Sequence, residues 1–227
     1  MSMRTRHALV LSAALLVCAP AVAVSTYQQE LDAARRSVAN LDRGAELFQG
    51  SCVRCHGPDG AGRPDGSVPR IGGQLSEVLV KQLVDFRHAR RWDPRMEPVA
   101  DTHHLDAAQA IADVAGYVAS LQMRGPTGTG DGGLVALGAQ RYRQDCARCH
   151  GAEGRGDAQH LAPQLAGQHY EYLRRQIYDA VDGRRPNFPA AHIRLLAPLQ
   201  HDDIIGLADF LARLPSPQAG EVPAQKH

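Results

Sequence analysis

The sequence predicts an all-α protein built as two similar helical domains in tandem. Three observations carry that reading. Residues 44–91 align with residues 138–185 at a constant offset of 94 without a gap, and 18 of the 48 positions are identical. Each copy holds one Cys-x-x-Cys-His pentapeptide, Cys52-Val53-Arg54-Cys55-His56 and Cys146-Ala147-Arg148-Cys149-His150. Elsewhere apolar residues recur at helical spacing, and no segment has a convincing strand pattern.

Taken in order, the first residues read as a secretory signal. Arg4, Arg6 and His7 make a basic start, 8–17 is apolar but too short to span a bilayer, and Ala21-Val22-Ala23 is a small-x-small cleavage site. Short helices are expected before each motif, over 42–50 and 134–145. Middle helices follow: 76–88, with Leu79, Leu83 and Phe86 on one face, and 170–181, with Leu173, Ile177 and Val181. Closing helices span 106–121, through Ile111, Val114, Ala115, Val118 and Leu121, and 202–214, through Ile204, Leu207, Ala208, Leu211 and Leu214. Pro215 stands just past the second. The organisation is therefore a signal peptide (1–23), a first domain (24–124), a flexible glycine-rich linker (125–133), a second domain (134–214) and a disordered polar tail (215–227). No segment after the signal has the roughly 20 apolar residues of a membrane-spanning helix.

The pentapeptides carry the chemistry. Two thiols at this spacing reach the two vinyl groups of one porphyrin as thioethers, and the histidine that follows is held beneath the iron. Each domain would thus be built around one covalent haem, through Cys52 and Cys55 with His56, and through Cys146 and Cys149 with His150. Signal cleavage removes Cys18, so every remaining cysteine lies in a motif and none is left for a disulfide. A four-cysteine zinc site would bring its pairs to about 15–20 residues; here they are 94 apart. The whole chain carries a formal charge of +1 and its signal two arginines without an acid, a balance that argues against nucleic-acid binding. Aromatic residues make up only 5% of the chain, so a haem in each small domain would supply much of its apolar core.

The chain resembles class I cytochrome c domains, and specifically the dihaem cytochrome c4 family. The resemblance rests on Gly44-Ala45, the Cys-x-x-Cys-His-Gly motifs, Pro163-x-Leu165-Ala166-Gly167-Gln168-His169-x-x-Tyr172-Leu173, the Arg90-Arg91 and Arg184-Arg185 pairs, and the closing helices. It implies two tandem cytochrome c-like domains carrying two covalently bound haem c groups. It also implies a periplasmic carrier of single electrons, not an enzyme, whose partners are redox proteins such as a bc1-type complex, a dehydrogenase or a terminal oxidase. The carbonyls of Pro69 and Pro163 would accept the proximal imidazole N–H bonds, and the propionates would face each other across the domain interface. The plain alternative for both prolines is a turn. The arginine pairs would meet the propionates or form a solvated basic face.

The distal ligands separate the two halves. Asp93-Pro94-Arg95-Met96-Glu97-Pro98 matches the family's methionine segment, with His103 or His104 as the alternative ligand. No methionine follows the second motif, and Met123 sits beside the linker. His192, in Ala191-His192-Ile193-Arg194-Leu195-Leu196, stands where the resemblance would put the missing ligand. The rivals are His160, His201 and an open iron; His169 aligns with Leu75, outside the distal loop. The resulting expectation is His56/Met96 at the first haem and His150/His192, at lower potential, at the second. A haem enzyme or small-ligand binder with an open second iron, or a subunit of a larger respiratory complex, is the alternative.

Overall fold

In the first half, Asn40 starts a helix by accepting the Arg43 N–H (3.1 Å) at its side-chain oxygen. The computed structural model describes residues 26–122 and 125–216. The expected signal peptide, Met123 and residues 217–227 lie outside the described residues. The first half contains α1 (Thr26–Arg36), α2 (Leu41–Ser51), α3 (Val53–His56), α4 (Ser76–Arg87) and α5 (Ala108–Ser120). The second contains α6 (Val135–Arg141), a π-helical turn (Tyr142–Cys146), α7 (Ala147–His150), α8 (Tyr170–Val181), α9 (Ala190–Leu196) and α10 (His201–Arg213). Among the described residues, β structure is limited to one isolated bridge, Asp157 to Ala162.

The closing helix of each half crosses the helix before the motif and packs on the middle helix. Phe48, Leu79, Val84, Ile111, Val114 and Val118 form the first core; Tyr142, Leu173, Leu207, Ala208 and Leu211 form the second. The crossings explain an identity between the copies. A Cβ on Gly44 would lie 2.2 Å from the Asp113 carbonyl oxygen, and one on Gly138 would lie 1.9 Å from that of Gly206. Only hydrogen fits where these backbones meet. Val181, put on the apolar face by its spacing, is exposed at the end of α8.

Besides the single turns α3 and α7, two helices fall outside the expected ranges. Helix α1 lays Tyr27, Leu31 and Ala34, spaced four and three, onto α4 and α5. It is fixed by Tyr27 donating to Asp85 (2.8 Å) and by Glu30 meeting Arg87 and His88. Helix α9 is short and starts at the Pro189 cap.

The glycine-rich run between the halves, expected from its composition to be flexible, is tied down. The buried Asp209 carboxylate accepts the Gly130 and Gly132 N–H groups (both 2.9 Å), Thr127 donates to the Ala212 carbonyl (2.9 Å), and Arg70 donates to the Gly125 carbonyl (2.8 Å). A buried carboxylate and a buried guanidinium on the flanking domains replace the water that such a chain would otherwise bind.

The domain interface makes the same contact twice, once in each direction. The Gln74 side chain donates to the Gln164 carbonyl and accepts the Gln164 N–H, both at 2.9 Å. Gln168 does the same to Arg70, donating at 2.7 Å and accepting at 3.0 Å. Gln74 and Gln168 are equivalent in the two copies, as are Arg70 and Gln164, so the contact is a local two-fold exchange, and all four residues are buried. Replacing Gln74 or Gln168 with Ala leaves two buried N–H groups, one across the interface and that of the next residue, and one buried C=O unpaired. Each change should cost about 1–3 kcal/mol in denaturant unfolding of the holoprotein; a loss near zero would show that the exchange does not hold the domains.

His169 adds a pH-sensitive contact to this interface. Its Nε2 lies 2.7 Å from the Ala61 carbonyl oxygen and its Nδ1 3.2 Å from that of Thr127. Burial, outweighing those two carbonyls, holds its pKa below the ordinary histidine value. The unfolded chain therefore takes up the proton first as pH falls, and the stability from neutral His169 is present above the ordinary histidine pKa and lost below it. The stability advantage over His169→Gln should narrow between about pH 7.5 and pH 5. An advantage that grows over that range would contradict the burial argument.

Candidate haem centres

Each Cys-x-x-Cys-His motif forms a single helical turn, α3 or α7, that ends at a glycine of positive φ, Gly57 (77°) or Gly151 (78°). The turn sets the two cysteines of a pair differently. Cys52 and Cys146 are half-buried, while Cys55 and Cys149 are exposed. Burial, followed by nearby negative groups, pushes the Cys52 and Cys146 thiols up to about 11. The free inner thiol is thus neutral, suited to an apolar slot beside a porphyrin edge.

The histidines point the other way, into the domains. His56 and His150 are 5% and 6% exposed. Nδ1 of His56 lies 3.0 Å from the Pro69 carbonyl oxygen, and Nδ1 of His150 lies 2.8 Å from that of Pro163. A carbonyl only accepts, so Nδ1 carries the proton and the Nε2 lone pair is free for a metal. Burial lowers both pKa values against the opposing pull of the proline carbonyls, which favours the neutral, ligating form. Gly62 makes room for the first proline: a Cβ there would sit 2.4 Å from the Pro69 oxygen. Gly156 does so for the second, where a Cβ would sit 2.7 Å from the Pro163 carbonyl carbon.

His192, on α9, lies across the second site. Its ring centroid is 6.1 Å from that of His150, with the planes at 67°. Cys146, Cys149, Leu195, Leu196, Leu199 and Leu207 line the same pocket. His192 makes no side-chain hydrogen bond among the described residues, and its Nδ1 is buried. Burial first, then His150 and Arg185, pull its pKa down to about 4, so the imidazole is neutral. The rival histidines face solvent. His160 is 76% exposed in its side chain and pairs with Asp157. His201 is exposed and meets the Tyr178 hydroxyl, while His103 and His104 are exposed on the Asp101 turn.

At the first site, Met96 is half-buried in a turn where its N–H donates to the Asp93 carbonyl (2.9 Å). Its neighbour Arg95 donates to the Ser67 carbonyl (3.0 Å), two residues before Pro69, and its charge helps to lower the His56 pKa. The methionine segment therefore runs beside the first motif.

The arginine pairs divide by position. Arg90 lies over the Tyr27 ring (4.1 Å), and Arg184 pairs with Asp179 and Asp182. The inner members meet at the domain interface. Arg91 donates to Gln82 (2.8 Å), Tyr172 (2.7 Å) and Gln176 (3.0 Å). Arg185 donates to Gln176 (2.7 Å) and Gln82 (3.3 Å), from the opposite copy's direction. Among the described residues neither guanidinium has a carboxylate partner, and burial together with Arg91 pulls Arg185 down to about 9. Asp85 and Asp179 act on Arg185 only from beyond hydrogen-bond distance, so two cations this close, without a direct carboxylate partner, suit a ligand that brings its own carboxylates. The sequence reading missed Phe188, whose ring stacks on His192, although its i,i+4 spacing to that histidine was visible.

Two helical domains, each with a Cys-x-x-Cys-His turn whose imidazole is held by a proline carbonyl, define a dihaem c-type cytochrome. Comparison with known proteins agrees. The family model described as cytochrome c matches residues 41–122 and again 135–215. Cytochrome c4 of Pseudomonas aeruginosa is 32% identical over 72% of this chain and 83% of its own. The thiosulfate dehydrogenase electron acceptor of Stutzerimonas stutzeri is 32% identical over 78% of this chain and 85% of its own. The crystal structure of reduced cytochrome c4 from Pseudomonas stutzeri superposes with a TM-score of 0.69 at 27% identity, covering 78% of this chain and all of that one. The chain belongs to the cytochrome c family, within its dihaem cytochrome c4 group, and is an electron-transfer protein with two covalent haems.

The thioethers predict a specific mass pattern. Mass spectrometry of the holoprotein should show two haem additions that survive acid–acetone extraction. The double variant Cys146→Ala/Cys149→Ala should retain one. Haem that extracts freely from the unmodified protein would contradict covalent attachment through these motifs.

Proposed function

We propose that the protein is a periplasmic carrier in which the first haem is held by His56 and Met96 and the second by His150 and His192. The facing imidazoles of the second half carry this reading. Two ring nitrogens each about 2 Å from one metal put their ring centroids roughly 6 Å apart, and the observed separation is 6.1 Å. The apolar leucines and the neutral state of His192 support the same assignment. Met96 is supported by its place in a turn beside the first motif.

The ligand sets would give the two centres different work. A thioether raises the potential of a haem relative to an imidazole. The first haem would then hold its electron more tightly, and the second would be the lower-potential entry or exit point. Arg91 and Arg185 would take the propionates where the domains meet, which would bring the two haems close enough for exchange. The bound groups supply one-electron redox chemistry. The chain's own part is to keep both irons saturated, orient the imidazoles and exclude water.

The export signal supports a periplasmic location, and no helix among the described residues is long and apolar enough to cross a membrane. The relative named as a thiosulfate dehydrogenase electron acceptor supports a dehydrogenase as one electron donor. The onward acceptor would be another redox protein, such as a terminal oxidase.

Replacing His192 with Ala tests the assignment. The second haem should become high-spin and bind carbon monoxide, while the first keeps its methionine charge-transfer band. A variant with both haems still low-spin would exclude His192 as the ligand.

A further inference from the structure

A histidine that binds a metal normally has its other ring nitrogen fixed by an acceptor, and that bond sets the plane of the ring. His150 has such an acceptor in the Pro163 carbonyl, 2.8 Å away. His192 has none: it makes no side-chain hydrogen bond among the described residues, and its Nδ1 is buried. What fixes its plane must therefore be something other than a polar partner.

The contact present is aromatic. The Phe188 ring stacks on His192 with centroids 4.7 Å apart and planes 25° from parallel. The same Phe188 ring carries the Arg185 guanidinium, 4.3 Å from its centroid. Arg185 is itself fixed in three directions, to Gln176 (2.7 Å), Asn187 (3.3 Å) and, from the first domain, Gln82 (3.3 Å). Asn187 is further tied to Asp85 of the first domain (2.7 Å). Phe188 is thus a rigid plate between the domain interface and the imidazole, just ahead of the Pro189 cap of α9.

We propose that Phe188 is a positioning residue that sets the ring plane of His192 at the second haem, and that Arg185 fixes this plate to the domain interface. The inference rests on His192 being the distal ligand. Stacking suits this task because it constrains the tilt of the ring while leaving both nitrogens free. Met96 at the first site has no ring plane to set, so no such plate is required there.

The test uses the holoprotein with Phe188→Leu, which keeps apolar bulk but removes the stack, and Phe188→Tyr, which restores it. In Phe188→Leu the low-spin paramagnetic resonance signal of the second haem should shift and broaden. The fraction of that haem open to carbon monoxide should rise about tenfold. The first haem should be unchanged, and Phe188→Tyr should return both readouts to the parent values. A Phe188→Leu protein with the parent spectrum and ligand access would overturn the proposal. So would a change shared by both haems, or a loss of helicity not mended in Phe188→Tyr, because either marks a general packing role. His192→Ala, measured alongside, separates the two levels: if its second haem stays low-spin, the ligand assignment itself has failed.

Discussion

Each half of the molecule is organised around one hydrogen bond, the one a proline carbonyl accepts from the imidazole that follows Cys-x-x-Cys. That bond fixes the tautomer and leaves the other ring nitrogen free for a metal. It also dictates features that look unrelated in the sequence. Gly62 and Gly156 lack side chains because the proline segments pass within contact of their α-carbons. The segments that follow lead to Gln74 and Gln168, which cross into the other domain. The orientation of the motif imidazole and the geometry of the domain interface are therefore set by the same stretch of chain.

Duplication explains the interface, and divergence explains the chemistry. Because the two copies meet about a local two-fold, the Gln74–Gln164 contact recurs as Gln168–Arg70, and the two equivalent glutamines satisfy buried backbone groups on both sides. The same relation brings Arg91 and Arg185 together around Gln82 and Gln176. Away from this axis the copies differ. The first is covered by α1, whereas the tied-down linker runs across α10 in the second. The first offers a methionine turn and the second a helix that carries a histidine. A pair of domains that shares its proximal side and differs on its distal side can hold two haems at different potentials within one frame.

Most of this frame was legible in the sequence. The motifs are short-range patterns, the proline acceptors come only with the family resemblance, and the closing helices repeat their apolar residues with a regular period. The absence of methionine after the second motif singles out His192. What could not be read depends on partners distant in the chain. A run of glycines looks flexible until the Asp209 carboxylate is found beneath it. Helix α1 shows only three apolar contact positions, too few to stand out without α4 and α5 to receive them. Phe188 looks like an ordinary loop residue until Arg185 and His192 are seen against it.

The central claim is that the two haems differ in their distal ligand within otherwise matched domains. Paramagnetic resonance of the fully oxidised, unmodified holoprotein reads both ligand sets at once. The account predicts two low-spin ferric signals of equal weight, one of the histidine–methionine type and one of the bis-histidine type, with no high-spin component. Two signals of the same type, or a high-spin ferric signal from the second haem, would contradict it.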